Sequence, residues 1–62
     1  MVDKNGNTLK IGDGVSYDYR MDALDPVIHG FEWNPDLLIL HDRYGVPIGK
    51  VPPSQVVKRL PY

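Results

Sequence analysis

Proline and glycine interrupt this chain so often that long regular segments are excluded. Six of each occur in 62 residues, or about one interruption every five residues. No window of ten or more residues places apolar side chains at the spacing of an amphipathic helix. Stretches in which apolar and polar residues alternate do occur, and alternation is typical of half-buried strands. The sequence therefore predicts an all-β chain of short strands joined by tight turns.

Five strands are predicted, at residues 15–19, 27–33, 37–41, 46–51 and 56–60, with a 3₁₀ turn at residues 52–55 before the last strand. Residues 1–11 are predicted to form a turn or a short hairpin around Asn5-Gly6. Gly45 is the expected positive-φ position of the turn at residues 42–45, and Pro47 is expected at a sheet edge or at the start of a strand.

The apolar run at residues 37–40 and the returning segment at residues 46–51 predict a hairpin at the centre of the sheet. The run is apolar on both faces, so a loop or a second copy of the chain should cover its outer side. In the strand before it, strict alternation places Val27, His29, Phe31 and Trp33 on one face, and Gly30 indicates a bulge or a close backbone crossing. Five short strands must close on themselves or leave a long edge, which favours a small closed barrel.

Chain length and composition limit how such a fold can be stabilised. A single domain of 62 residues buries only about 60% of the surface that its unfolded chain exposes. The chain has no cysteine, so disulfides and thiolate metal sites are excluded, and a reducing cytoplasm is the expected location. No segment approaches the roughly 18 apolar residues of a transmembrane helix, so no membrane contact is expected. Stability must come from packing or from self-association.

Several segments resemble the SH3-like small barrels, a superfamily that includes SH3 and Tudor domains. The order Gly12-Asp13-x-Val15-x-Tyr17, then a strand containing glycine, then an apolar strand, is similar to that superfamily. Asp42-Arg43-Tyr44-Gly45 and residues 51–57 extend the likeness, which covers nearly the whole chain from Gly12. Single barrels with this beginning also resemble small proteins of unassigned function from bacteria and their phages. The resemblance implies a five-stranded SH3-like barrel at residues 1–62, acting as a non-catalytic module that binds a protein or peptide.

Two binding modes follow from the resemblance. Val15-Ser16-Tyr17-Asp18-Tyr19 and residues 53–57 are similar to two SH3 motifs, which implies a groove for a polyproline II peptide lined by Tyr17, Tyr19 and Pro53. Tudor-like barrels instead hold methylated lysine or arginine in an aromatic cage, which would take rings from Tyr17, Tyr19, Trp33 and Tyr44 and a carboxylate from Asp42. The predicted protein-binding residues are Tyr17, Tyr19, Trp33, Tyr44 and Pro53.

The charges are unevenly distributed along the chain, although the net charge is only −1. Residues 1–42 contain all eight acidic residues and three basic ones, whereas residues 43–62 contain four basic residues and no acid. Scattered surface charge is one interpretation. The alternative is weak, salt-sensitive binding of nucleic acid by a basic edge made of Arg43, Lys50, Lys58 and Arg59.

Catalytic and metal-binding interpretations find little support in the sequence. His29 and His41 have no nucleophile motif beside them, and the spacing suggests no third or fourth metal ligand. Asp3-x-Asn5-x-Asn7 has the alternation of a calcium loop, but Thr8 and Gly14 stand where such a loop needs glycine and glutamate. The sequence therefore predicts no catalytic residue, no cofactor and no metal.

Overall fold

Five short strands and one 3₁₀ turn make up the regular structure in the computed structural model, which describes residues 1–18 and 23–60, the last by its backbone alone. The elements are β1 (Gly14–Ser16), β2 (Val27–Glu32), β3 (Leu37–His41), β4 (Pro47–Val51), the 3₁₀ turn η1 (Pro53–Gln55) and β5 (Val57–Leu60). The prediction of an all-β chain with a 3₁₀ turn before the last strand is confirmed. No helix within the described ranges is long and apolar enough to cross a membrane.

The strands form one antiparallel sheet in the order β4-β3-β2-β1-β5. Because β1 and β5 add on one side of β2 and the β3–β4 hairpin on the other, β2 is the middle strand. The predicted central position of the hairpin is therefore wrong, since β4 lies at an edge. Pro47 begins that edge strand, as expected for a residue without a donor N–H. No strand pairing of the described residues joins β4 to β5, so the sheet is not closed into a barrel by backbone pairing.

A bulge in β2 determines which side chains face the core. Ile28 pairs with Leu40 and Gly30 pairs with Ile39, which leaves His29 as an extra residue. Beyond the bulge, Phe31 pairs with Leu38. Directly opposed residues of an antiparallel pair project from the same face.

The irregularity predicted at Gly30 is therefore confirmed, but the predicted alternation across it is wrong. Leu38 and Leu40 share one face of β3, so Ile28 and Phe31 share the core face of β2 although three positions separate them. A bulge inserts one residue into one strand and reverses the facing of every residue after it.

The core is small and draws on every part of the chain. Among the residues whose burial is described, seven apolar ones are buried: Leu9, Val15, Ile28, Leu38, Leu40, Val51 and Val56. Met1, Tyr17, Phe31 and Ile48 pack against them while remaining partly exposed. On β3, Leu38 and Leu40 are buried, whereas Leu37 and Ile39 on the other face are half-buried. The outer face of this strand is thus only partly covered within one chain.

The N-terminal segment folds around the carboxylate of Asp3, which is 3% exposed. The backbone N–H groups of Asn5 and Asn7 donate to its Oδ1 at 2.9 and 2.8 Å. Its Oδ2 accepts from the side-chain NH₂ group of Asn7 at 3.1 Å and from the backbone N–H of Lys58 in β5 at 2.8 Å. A single antiparallel bridge joins Val2 to Thr8 across the loop.

This arrangement attaches the N-terminal loop to the outer edge of β5. The Lys4 N–H also donates to the Val56 carbonyl, 3.1 Å away, just before that strand begins. The Asp3-x-Asn5-x-Asn7 pattern therefore presents backbone and amide donors to a carboxylate, in the manner of an Asx turn, rather than oxygen ligands to an ion.

Two opposing effects act on the pKa of Asp3. Burial penalises the charged form and raises the pKa, but the hydrogen bonds from Lys58, Asn7 and Asn5 favour the carboxylate and outweigh burial. Together they lower the pKa of Asp3 from 3.8 to about 2. Since the folded-state pKa is the lower one, this carboxylate contributes its full stabilisation above about pH 4 and loses it as the pH falls toward 2.

We expect Asp3→Asn to remove the acid-sensitive part of the stability. The side-chain oxygen of an asparagine can still accept from the backbone N–H groups of Asn5 and Asn7. Its NH₂ group, however, then faces the Lys58 N–H, so two donors oppose each other. Urea midpoints measured by circular dichroism between pH 6 and pH 2 should be lower for the variant at pH 6, with a smaller loss on acidification. Asp36→Asn, at an exposed turn position, is the matched control. An Asp3→Asn profile parallel to wild type would contradict this role.

Truncating one core side chain should cost about as much free energy of unfolding as so small a domain has. Ile28 is completely buried, whereas Ile11 is 66% exposed. We expect Ile28→Ala to cost about 2–5 kcal/mol, comparable with the whole stability, about 3–5 kcal/mol, of a domain below 80 residues. Ile28→Ala should therefore be largely unfolded at 25 °C, and Ile11→Ala should unfold in urea near the wild-type midpoint. A cooperative Ile28→Ala transition at the wild-type midpoint would show that this core is misassigned.

Candidate protein-interaction surface

Tyr17 and the 3₁₀ turn η1 lie side by side. Tyr17 follows β1 directly, packs against the core and donates its hydroxyl to Oε1 of Gln55 at 3.3 Å. Pro53, which begins η1, is half-buried. Of the groove predicted from the SH3 resemblance, the structure thus places Tyr17 beside the turn that contains Pro53. Tyr19 lies outside the described residues.

Trp33 occupies the turn between β2 and β3. It follows the last residue of β2 and is 66% exposed. The centre of its ring lies 6.3 Å from the centre of the Phe31 ring, with an angle of 41° between the planes. The indole therefore lies beside a residue that packs against the core. The predicted strand end at residue 33 is one residue too long, because β2 stops at Glu32. The indole is therefore a surface group fixed on one side only.

Tyr44 occupies the turn between β3 and β4 and is 79% exposed. The Asp42 carboxylate organises this turn, because its Oδ1 accepts from the N–H groups of Tyr44 at 2.8 Å and Val46 at 2.9 Å. Gly45 has φ of +84°, which confirms the positive-φ prediction. The guanidinium carbon of Arg43 lies 5.3 Å from the centre of the Tyr44 ring, within cation–π range. A constrained turn thus holds an exposed ring and an adjacent cation.

Further apolar side chains lie at the same end of the sheet. Leu24 is 45% exposed and Val46 is 56% exposed. The Leu24 carbonyl accepts from the Arg43 N–H at 3.3 Å, which brings the loop before β2 against the β3–β4 turn. We call the group formed by Leu24, Arg43, Tyr44 and Val46 the Tyr44 surface. Neither Leu24 nor Val46 was predicted for the surface: a single aliphatic residue in a loop, such as Leu24, carries no local signal, and Val46 was predicted to begin a strand that in fact starts at Pro47.

Trp33 and Tyr44, two of the predicted aromatic residues that the structure describes, do not converge on one site. The Trp33 turn precedes β3 and the Tyr44 turn follows it, so five residues of strand, about 17 Å long, lie between the two turns. Tyr17 lies beyond the start of β2, because Gly14 pairs with Val27 and β1 runs away from that point. An aromatic cage containing both Trp33 and Tyr44 is therefore not assembled in this structure. Asp42, its proposed carboxylate, serves the turn instead.

Each of the four bases of the predicted basic edge lies against a carboxylate. The Arg43 and Arg59 guanidinium groups approach Asp25 at 3.3 and 3.7 Å. Lys50 pairs with Glu32 across the sheet. Lys58 lies 3.5 Å from Asp13, whose side chain is only 5% exposed. The charge segregation seen along the sequence is thus largely cancelled in space, because strand pairing brings the acidic first part of the chain against the basic last part.

Comparisons of the chain with protein-family models, with curated proteins and with solved structures found no match.

Proposed function

We propose that this chain is a small non-catalytic protein-interaction module that binds its partner through the Tyr44 surface. The observation that carries the proposal is that three exposed apolar residues, Leu24, Tyr44 and Val46, lie in two turns that a backbone hydrogen bond joins at one end of the sheet. Exposed apolar side chains that lie together are typical of contact surfaces. Tyrosine and arginine are also enriched among the residues that contribute most to binding.

The charges around this surface allow a partner to add an ion pair to the apolar contact. Arg43 and Arg59 share the carboxylate of Asp25, and the carboxylate of Asp42 lies in the same turn as Arg43. Both guanidinium groups are partly exposed, so water weakens these ion pairs and they can exchange partners. An acidic side chain of the partner can therefore pair with Arg43 while an apolar neighbour contacts Tyr44.

The proposal includes an SH3-like barrel as the fold. It is supported by the order of the elements, in which a 3₁₀ turn follows β4 and leads into a strand that pairs with β1. The contact between Tyr17 and Gln55 of η1 is a further support. In this view the Tyr17 and Pro53 side chains form a second, smaller contact area, suited to a proline-rich peptide.

Nucleic-acid binding ranks second as a candidate function. Binding to phosphates draws its strength from released counterions and unpaired cations, whereas Arg43, Lys50, Lys58 and Arg59 each have a carboxylate within 4 Å. We expect no saturable mobility shift with single-stranded oligonucleotides at 150 mM salt, a concentration at which weak phosphate contacts are screened. A shift that Lys58→Glu with Arg59→Glu abolishes would replace the protein-binding proposal.

Replacement of Tyr44 should remove partner binding without affecting the fold. A photoreactive phenylalanine analogue at position 44 should form a light-dependent adduct of discrete mass in a cell extract. Excess wild-type chain should compete for this adduct, and Tyr44→Ala should compete at least about tenfold less well, since anchor residues contribute about 2 kcal/mol or more. The same analogue at position 33, which is similarly exposed on the opposite turn, is the matched control.

Two outcomes would contradict the assignment of this surface. An adduct formed from position 33 and not from position 44 would move the contact to the Trp33 turn. Equal competition by Tyr44→Ala and wild type would show that the ring contributes nothing to binding. In the remaining case the captured partner is a second copy of the chain, which covers the half-buried Leu37 and Ile39. Light scattering of the purified chain identifies this case by a mass above that of a monomer.

A further inference from the structure

The chain's two histidines meet on adjacent strands. His29 is the extra residue of the β2 bulge and is exposed, while His41 ends β3 and is half-buried. Their ring centres lie 5.3 Å apart with an angle of 71° between the planes. Pairing of β2 with β3 brings the two residues together, since Val27 lies opposite His41 and His29 is the unpaired residue two positions further along β2.

A small cavity adjoins both rings. It has a volume of about 80 Å³ and is lined by His29, Ile39, Leu40, His41, Gly45 and Pro47. Nδ1 of His41 is buried and has no hydrogen-bond partner. Buried polar atoms are nearly always paired, so an unpaired imidazole nitrogen calls for an explanation. The cavity exceeds the roughly 30 Å³ that one water occupies in the liquid, so it can hold an ion or a small ligand group.

The ring separation matches that of two imidazoles sharing one metal ion. A zinc-to-nitrogen bond of about 2.0–2.1 Å places an imidazole centre roughly 3.2 Å from the ion. Two such rings at a tetrahedral angle have centres about 5.2 Å apart. The observed centres lie 5.3 Å apart with the rings meeting edge to face, so one ring must turn to bring a nitrogen toward the ion. Because His29 is exposed, its ring has room to turn a nitrogen toward the ion.

We propose that His29 and His41 form a two-histidine site for a divalent transition metal such as Zn²⁺, Ni²⁺ or Cu²⁺. Imidazole is a preferred ligand of these ions, whereas Mg²⁺ and Ca²⁺ prefer oxygen. The described residues contain no group of three or more His, Cys, Asp or Glu residues suited to a metal. Water therefore completes the coordination on the exposed side of His29. The site is independent of the Tyr44 surface and can be tested without any partner.

Titration of the purified chain with zinc chloride tests this site directly. In a non-coordinating buffer at pH 7.5, calorimetry should give one ion per chain. Long-range ¹H–¹⁵N spectra should show both imidazoles shifting together with the same saturation curve. His29→Gln should bind about 100-fold more weakly, because losing one of two linked ligands removes the gain from their effective concentration. Magnesium chloride, at the same concentrations, should leave both rings unshifted.

His29→Gln is the decisive variant because residue 29 is exposed, and its backbone ¹H–¹⁵N spectrum verifies the fold. His41→Gln should weaken zinc binding equally and keeps the test independent of one substitution. Both variants retain the N-terminal amine and every carboxylate, so an unspecific ion contact would survive in them. Zinc affinity unchanged in His29→Gln, a shift of one imidazole alone, or no saturable shift in wild type would each overturn the proposal.

Discussion

The β5 edge of this sheet depends on the hydrogen bonds that the Asp3 carboxylate accepts. An open sheet of five strands has two edges, and an exposed edge invites pairing with other chains. The Lys58 N–H of β5 donates to the Asp3 carboxylate, and the Val56 carbonyl, just before β5, accepts from the Lys4 N–H. The N-terminal loop thus satisfies backbone groups that would otherwise face water or another strand. The loop also carries Leu9 into the core, so edge protection and core formation are coupled.

The opposite edge is protected by the residues of β4 itself. Pro47 has no N–H to offer, and Lys50 places a charge on the strand, both of which disfavour edge-to-edge pairing. Lys50 also pairs with Glu32 of β2 across the intervening strand. The two edges therefore use different means: one is covered by a folded loop and the other is composed of residues that pair poorly.

Approximate strand positions could be predicted because they depend on local patterns, although the first strand, predicted at residues 15–19, is found at Gly14–Ser16. β3 was predicted at the residues where it is found, since an apolar run between two turn sequences defines both of its ends. Which side chains of β2 face the core could not be predicted in the same way. Gly30 indicated an irregularity, but only pairing with β3 shows that His29 is the inserted residue. The bond from Lys58 to Asp3 joins residues 55 positions apart, and no local pattern reveals such a partner.

The candidate surface shows the same division between local and long-range information. The exposure of Tyr44 follows from its position in a turn that the sequence indicated, whereas Trp33 was predicted to end a strand and is exposed because β2 stops one residue earlier. Their separation follows from β3 lying between them, and the proximity of Leu24 to Tyr44 depends on one backbone bond between distant segments. The basic edge looked uniform in sequence because Asp25, Glu32 and Asp13 lie far from their partners along the chain. The contact between His29 and His41 likewise depends on the pairing of β2 with β3.

Amide hydrogen exchange at Asn5, Asn7 and Lys58 is the most direct measurement of whether the N-terminal loop belongs to the folded sheet. If the Asp3 carboxylate holds these three amides, they exchange as slowly as the paired amides of β2 and β3 at neutral pH. Exchange of all three at the rate of an unstructured peptide, with β2 and β3 still protected, would show that the loop is not attached. The edge of β5 would then be open, and Asp3 would not be the residue that protects it.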